Sequence, residues 1–160
     1  MKKLRVGVIG LGFIGGLHAR IWAESDIAEL AAVADVNGEA AARAAAQYGC
    51  ASYTDYHELL QDPDIDAVDI CVPEDFHVAP AVAAAVAKKA ILLEKPIAKT
   101  AAEAEEIQKA AQDNGVRLMI AHILKFDPRY VQLSEAIRSG RLGEISTLAL
   151  KRTNSQATPK

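Results

Sequence analysis

Two short stretches hold the residue types best suited to chemistry. The first is "GLGFIG", in which Gly10, Gly12 and Gly15 follow directly on the apolar run "RVGVI". In a G-x-G-x-x-G loop the first glycine allows a tight turn and the second lets a pyrophosphate approach the backbone. The third lets the following helix pack closely on the strand. That helix would present unpaired N–H groups and the positive end of its dipole to the phosphates. Asp35 closes the next apolar run, at the spacing of about 20 residues expected of a ribose-binding carboxylate. It could accept hydrogen bonds from a ribose diol and would repel a 2′-phosphate. No Arg or Lys follows at once in "DVNGEA", so the cofactor expected is NAD, with NADP disfavoured. The bland alternative is a glycine turn that binds nothing, with Asp35 as a solvated cap. Three spacings that agree at once weigh against it.

The second stretch is "ILLEKPIAKT", where an apolar run ends in Glu94, Lys95 and Pro96. A lysine at such a place could polarise a substrate oxygen or relay its proton, with burial and a neighbouring carboxylate tuning it. Pro96 would stiffen the turn and is free to be cis. The alternative is a surface ion pair ahead of a helix. Between the two stretches lies "ICVPEDFH". Val72 and Pro73 would turn the chain across a cofactor, and Asp75 could cap the next helix. His77, in that helix's first turn, reads equally well as a partly exposed helix residue or as a ligand contact.

The elements that must hold these residues alternate strictly. Strands are expected at "LRVGVIG", "AELAAVAD", "ASYT", "IDAVDICVP", "AILLEKP", "VRLMIAH" and "EISTLALKR". Helices are expected at "IGGLHARIWAES", "GEAAARAAAQYG", "DYHELLQDP", "FHVAPAVAAAVAKK", "AAEAEEIQKAAQDNG" and "DPRYVQLSEAIRSGRLG". Thr100 and Glu103 form a capping box, and Asn114-Gly115 is a stop signal. Near-continuous apolar strands alternating with helices predict an α/β fold, a doubly wound and mostly parallel sheet of the Rossmann kind. Ligands of such sheets bind beyond the carboxyl ends of the strands, which is where both stretches fall.

A chain of 160 residues has room for one domain and part of another. Its net charge of −3 comes from interspersed charges without a Lys/Arg block, which argues against nucleic acid or an anionic membrane as partner. Cys50 and Cys71 are far apart in apolar contexts, so neither a disulfide framework nor a metal site is expected. The start "MKKLRVGVIG" lacks the apolar stretch of a signal peptide, and no run reaches the ~20 residues of a membrane span. A cytoplasmic protein is the expectation.

Together "VGVIGLGFIG", "VAD", "YTDYHELL", "DAVDICVPEDFH", "AVAAAVAKKAILLEKPIA" and "KFDPRYVQLSEAIRSGRLGEI" resemble the N-terminal half of the glucose–fructose oxidoreductase, inositol dehydrogenase and rhizopine-catabolism (Gfo/Idh/MocA) family. The combination of glycine loop and "EKP" is specific. The resemblance implies an NAD(P)-dependent dehydrogenase acting on hydroxyl groups of sugars, cyclitols and related polyols. It implies that Gly10, Gly12 and the Phe13-Ile14 backbone hold the pyrophosphate and that Asp35 holds the ribose. It also implies that Val72, Pro73 and His77 line the cofactor, and that Lys95, beside Glu94, contacts substrate and nicotinamide.

Three departures stand out. Lys88-Lys89 occupies a helix stop where the family places glycine, and a left-handed residue there costs a non-glycine about 1–2 kcal/mol. Lys125 stands where the family often has Arg, which keeps the charge but loses bidentate geometry. His122, at the end of the sixth strand, is either a packed core histidine or a donor to substrate. The largest departure is length. The family adds a second, mostly antiparallel domain that closes the site and usually forms the oligomer interface. The expected division is a Rossmann domain over 1–121, then a connecting helix and first strand of that second domain over 122–160. A fragment is the favoured reading, inactive alone and with a homo-oligomer among its allowed states. The other reading is a non-catalytic NAD-binding or redox-sensing module.

Overall fold

The computed structural model describes residues 3–151. Six strands form one parallel sheet: β1 (Leu4–Ile9), β2 (Ala28–Ala34), β3 (Ala51–Tyr53), β4 (Ala67–Ile70), β5 (Ala90–Leu93) and β6 (Leu118–Ile120). Their spatial order is β3-β2-β1-β4-β5-β6. The winding reverses between β1 and β4, so the chain leaves that pair in opposite directions and opens a crevice at their carboxyl ends. This is the Rossmann arrangement.

The central strands are apolar on both faces because both faces are covered. Val6, Val8 and Ile9 of β1, Leu30 to Ala34 of β2 and Val68 and Ile70 of β4 are all buried. The covering helices of this unit are α1 (Phe13–Ala23), α2 (Gly38–Tyr48), α3 (Tyr56–Gln61), α4 (Val78–Val86) and α5 (Ala101–Asn114). Their starts follow the capping chemistry of the sequence. Asn37 accepts from the Ala40 N–H, Asp55 from His57, and Thr100 pairs reciprocally with Glu103 as a capping box. Asp75 is not the cap of α4. It lies in a 3-10 turn, Glu74–Phe76, and pairs with Lys99, while α4 starts two residues later than expected with Pro80 in its first turn.

The stop of α4 carries the strain expected there: Lys88 has φ +61°. Its amine donates to the Asn114 carbonyl and side chain at 3.0 and 2.9 Å, which returns part of the cost. The neighbouring Lys89 is buried, its amine donating to the carbonyls of Asp62 and Ile65 at 2.6 and 2.8 Å.

Contacts divide the chain into two units that part between His122 and Ile123. The second contains a 3-10 turn (Ile123–Phe126) and α6 (Pro128–Arg138), capped by Asp127. None of its residues from 123 to 151 is buried. The seventh strand expected at 144–152 does not form over the described residues 144–151, and Arg152 lies outside them. A lone extended segment has no ladder partner for its N–H and C=O groups, so apolar alternation alone cannot make it a strand.

Candidate functional site

The sheet ladder runs one residue past β1, β2, β4 and β5 and brings the key residues into one row. The N–H of Gly10 donates to the Ala34 carbonyl, that of Cys71 to Ile9, that of Glu94 to Ile70, and that of Asp35 to Tyr53. Above this row lies a cleft of about 1350 Å³. Gly10, Gly12, Phe13, Ile14, Asp35, Val72, Pro73, Glu94 and Lys95 all line it.

The glycine loop is built as its spacing requires. Gly10 has φ +90°, and a Cβ there would lie 2.9 Å from the backbone nitrogen of Val72. A Cβ on Gly15 would collide with the carbonyl oxygen of Gly10, so only glycine lets α1 sit this close. Gly12 differs. A Cβ there would meet nothing in the protein within 4 Å, so this position is left bare toward open space. Gly12 is also the N-cap of α1, whose first turn holds no acidic side chain. The first N–H groups of a helix lack intrahelical partners, and here they lie beside a position whose Cβ would meet nothing. Such a helix start can receive an anion.

Asp35 is fixed by two main-chain donors. Its Oδ2 accepts from the Leu11 N–H at 2.6 Å and its Oδ1 from the Asn37 N–H at 2.8 Å. A carboxylate oxygen has two lone pairs, so each retains capacity for a ribose hydroxyl. The Leu11 bond also ties the glycine loop to the end of β2.

At the other end of the cleft, β5 exits through Glu94 and Lys95 into a cis Lys95–Pro96 peptide. Glu94 accepts the Lys95 N–H through Oε2 at 2.9 Å, and Lys95 itself is exposed. Behind Glu94 lies a compact polar cluster. Asp69, in the middle of the sheet and fully buried, accepts from Trp22 Nε1 at 2.6 Å, His18 Nδ1 at 2.9 Å and the Cys71 thiol at 3.4 Å. His18 Nε2 lies 3.7 Å from Glu94 Oε1. The hydrogen bond to Asp69 raises the pKa of His18 above its usual value near 6.5. Burial opposes that rise, and the charges of Asp69 and Glu94 add to it. Burial, with the charge of Asp69, pushes the Cys71 thiol far up.

His77 is not in the cleft wall. It is 1% exposed, with Nε2 2.9 Å from the Val72 carbonyl and Nδ1 3.3 Å from the Ile97 carbonyl. It thus braces the turns after β4 and β5 from behind. It is therefore not the partly exposed helix residue that the sequence allowed. His122 is exposed, as is Lys125, so His122 is not a packed core histidine. Among the described residues no helix is long and apolar enough to cross a membrane.

A family model described as an oxidoreductase family with an NAD-binding Rossmann fold (GFO_IDH_MocA) matches residues 4–122. The chain belongs to the Gfo/Idh/MocA family. Inositol 2-dehydrogenase of Salmonella typhimurium (strain LT2) is 35% identical over 161 residues, covering 98% of this chain and 48% of that protein. Inositol 2-dehydrogenase of Rhizobium meliloti (strain 1021) is 36% identical over 156 residues, with 98% and 47% covered. The crystal structure of scyllo-inositol dehydrogenase from Lactobacillus casei, with bound cofactor NAD(H) and scyllo-inositol, matches with a TM-score of 0.85. It is 28% identical, and the match covers 91% of this chain and 44% of that one. The chain spans about half the length of the curated relatives it matches.

In this Gfo/Idh/MocA chain the sequence reading missed His18, Trp22, Asp69 and Cys71. One signal was available: Asp69 is a carboxylate inside an otherwise apolar strand, and such a group must find donors. His18, Asp69 and Cys71 each bring a potential ligand atom within 4.8 Å of the others. Their polar atoms already satisfy one another, and the thiol is held protonated. The chemistry of the cluster is therefore that of a hydrogen-bonded network rather than a metal cage.

Proposed function

We propose that this chain binds NAD(H) in the cleft and forms the cofactor half of a dehydrogenase for a hydroxyl carbon of a cyclitol, sugar or similar polyol. The observation that carries the reading is the single row of strand ends. It has a bare glycine cradle and Asp35 toward one end, and Glu94 and Lys95 toward the other. The names of the relatives, inositol 2-dehydrogenases, support the substrate class, and the NAD(H) of the Lactobacillus casei structure supports the cofactor.

The residues present fit the dinucleotide. Gly12 leaves room for a pyrophosphate against the backbone, and the α1 N-terminus meets its charge. Asp35, immobilised by Leu11 and Asn37, would accept from the adenosine ribose and oppose a 2′-phosphate. NAD would supply the two-electron acceptor that alcohol oxidation needs. Lys95 would hold the substrate hydroxyl and relay its proton, and Glu94 would hold the Lys95 peptide in place.

The test is a titration of the purified chain with NADH and NADPH. Saturable binding with NADH at least about tenfold tighter, a difference of ~1.4 kcal/mol, is expected. Asp35→Ser should narrow that ratio. Tighter NADPH, or no binding by a folded chain, would overturn the cofactor reading. For catalysis, whatever turnover the chain supports across a panel of polyols should vanish in Lys95→Ala while NAD affinity persists. If turnover and affinity were both unchanged in that variant, Lys95 would lose its role.

A further inference from the structure

The cluster behind Glu94 is more than core packing, because it reaches the cleft. Asp69 has no exposure and is met by three donors from two elements. That fixes the His18 ring: Nδ1 is committed to Asp69, and Nε2 points toward Glu94 at an ion-pair distance of 3.7 Å. The side chains of His18 and Glu94 are only 18% and 12% exposed, so little solvent screens them. Glu94 in turn holds the Lys95 N–H at 2.9 Å. A continuous path therefore runs from the middle of the sheet to Lys95, the one lysine among the described residues that lines the cleft. Asp69 and Cys71 face His18 from β4 and its exit, Glu94 from the exit of β5, and Trp22 from its own helix.

We propose that His18 is a positioning residue: anchored on Asp69, its imidazole bridges to Glu94 and through Glu94 sets the peptide that presents Lys95 to the cleft. The inference rests on the reading of Lys95 as the proton-handling group. Asp69 and Glu94 both favour the imidazolium. Protonated His18 thus draws Glu94 toward α1, and loss of the proton frees it. Cys71 lies 3.4 Å from His18 Nδ1 and donates to Asp69, and its thiol, pushed up by burial, places no charge beside the ring. The consequence is a pH-dependent Lys95 geometry governed by a histidine that need not touch substrate.

Nuclear magnetic resonance of the isotope-labelled 160-residue chain tests this directly. The His18 imidazole and the Lys95 amide are followed together from below to above the His18 midpoint. The Lys95 amide is expected to titrate with the His18 midpoint, and that midpoint should lie above the usual value near 6.5. In Glu94→Gln the midpoint should fall and the Lys95 amide should stop following it, while the Trp22 indole still reports His18. In His18→Gln the Lys95 response should be lost in a chain whose other amides are unmoved. A Lys95 amide silent through the wild-type titration, or one whose response survives Glu94→Gln, overturns the inference. NADH titration of the same samples separates the two claims. Absent NADH binding sinks the cofactor reading, whereas a silent amide in a chain that binds NADH sinks the positioning role alone.

Discussion

The two ends of the cleft are built on different principles. The glycine-loop end is made of backbone: a left-handed turn at Gly10, a bare helix N-cap at Gly12 and a helix pressed against Gly10 by Gly15. All its parts lie within six residues, except Asp35, which arrives on the neighbouring strand. The Glu94–Lys95 end is made of side chains. Its polar scaffold draws on α1, β4 and β5, through His18, Asp69 and Glu94. Main-chain geometry has local rules and leaves a motif. A side-chain network is assembled by the fold and leaves none.

Substitutions at Gly15 and Asp69 set the two constructions against each other most sharply. Gly15→Val would drive a side chain into the Gly10 carbonyl, and α1 would have to leave the sheet. A loss of about 3 kcal/mol or more is expected, at the upper end of overpacking costs, read as the urea midpoint. Asp69→Leu keeps the branching but adds volume, removes the acceptor and leaves the part-buried Trp22, His18 and Cys71 donors without it. A loss on the order of 3 kcal/mol is expected by the same measurement. A change within experimental error would mean the network does not stabilise the sheet.

Gly12→Ala should break function without breaking the fold. Its Cβ would sit in open space, so the urea midpoint should hold while NADH affinity drops about tenfold or more, ~1.4 kcal/mol. Lost stability with intact affinity would reverse the roles assigned to Gly12 and Gly15.

The pH dependence sharpens the side-chain end. The folded chain raises the pKa of His18, first through its hydrogen bond to Asp69, and so binds that proton more tightly than the unfolded chain. The stabilisation is whole below about pH 6.5 and is lost as pH rises through the raised folded value. Denaturant titrations of His18→Gln should lack that decline. The smallest effect is expected at Lys88→Gly. Relief of the φ +61° strain is offset by glycine's unfolded-state entropy and the lost bonds to Asn114, leaving stability within about 0.5 kcal/mol of the parent.

Much of the sheet was legible because each strand is a short apolar run bounded by turn residues. The caps at Asn37, Asp55 and Thr100 are local chemistry as well. The misreadings share one cause. The segment 144–151 has apolar alternation but no pairing neighbour, and Asp75 finds Lys99 rather than the start of α4. His77 turns inward because the carbonyls of Val72 and Ile97 meet behind the cleft. In each case a partner distant in sequence decided the outcome.

By itself, then, the sequence determined the order of strands and helices, the glycine cradle, the carboxylate that closes β2 and the lysine at the exit of β5. These depend on spacing, periodicity and backbone permissiveness, which act over a few residues. Tertiary structure alone decided that His77 lies behind the wall, and that Asp69, His18 and Glu94 connect the middle of the sheet to Lys95. A buried carboxylate must be met by donors, but which donors meet it depends on which elements the winding of the sheet brings together.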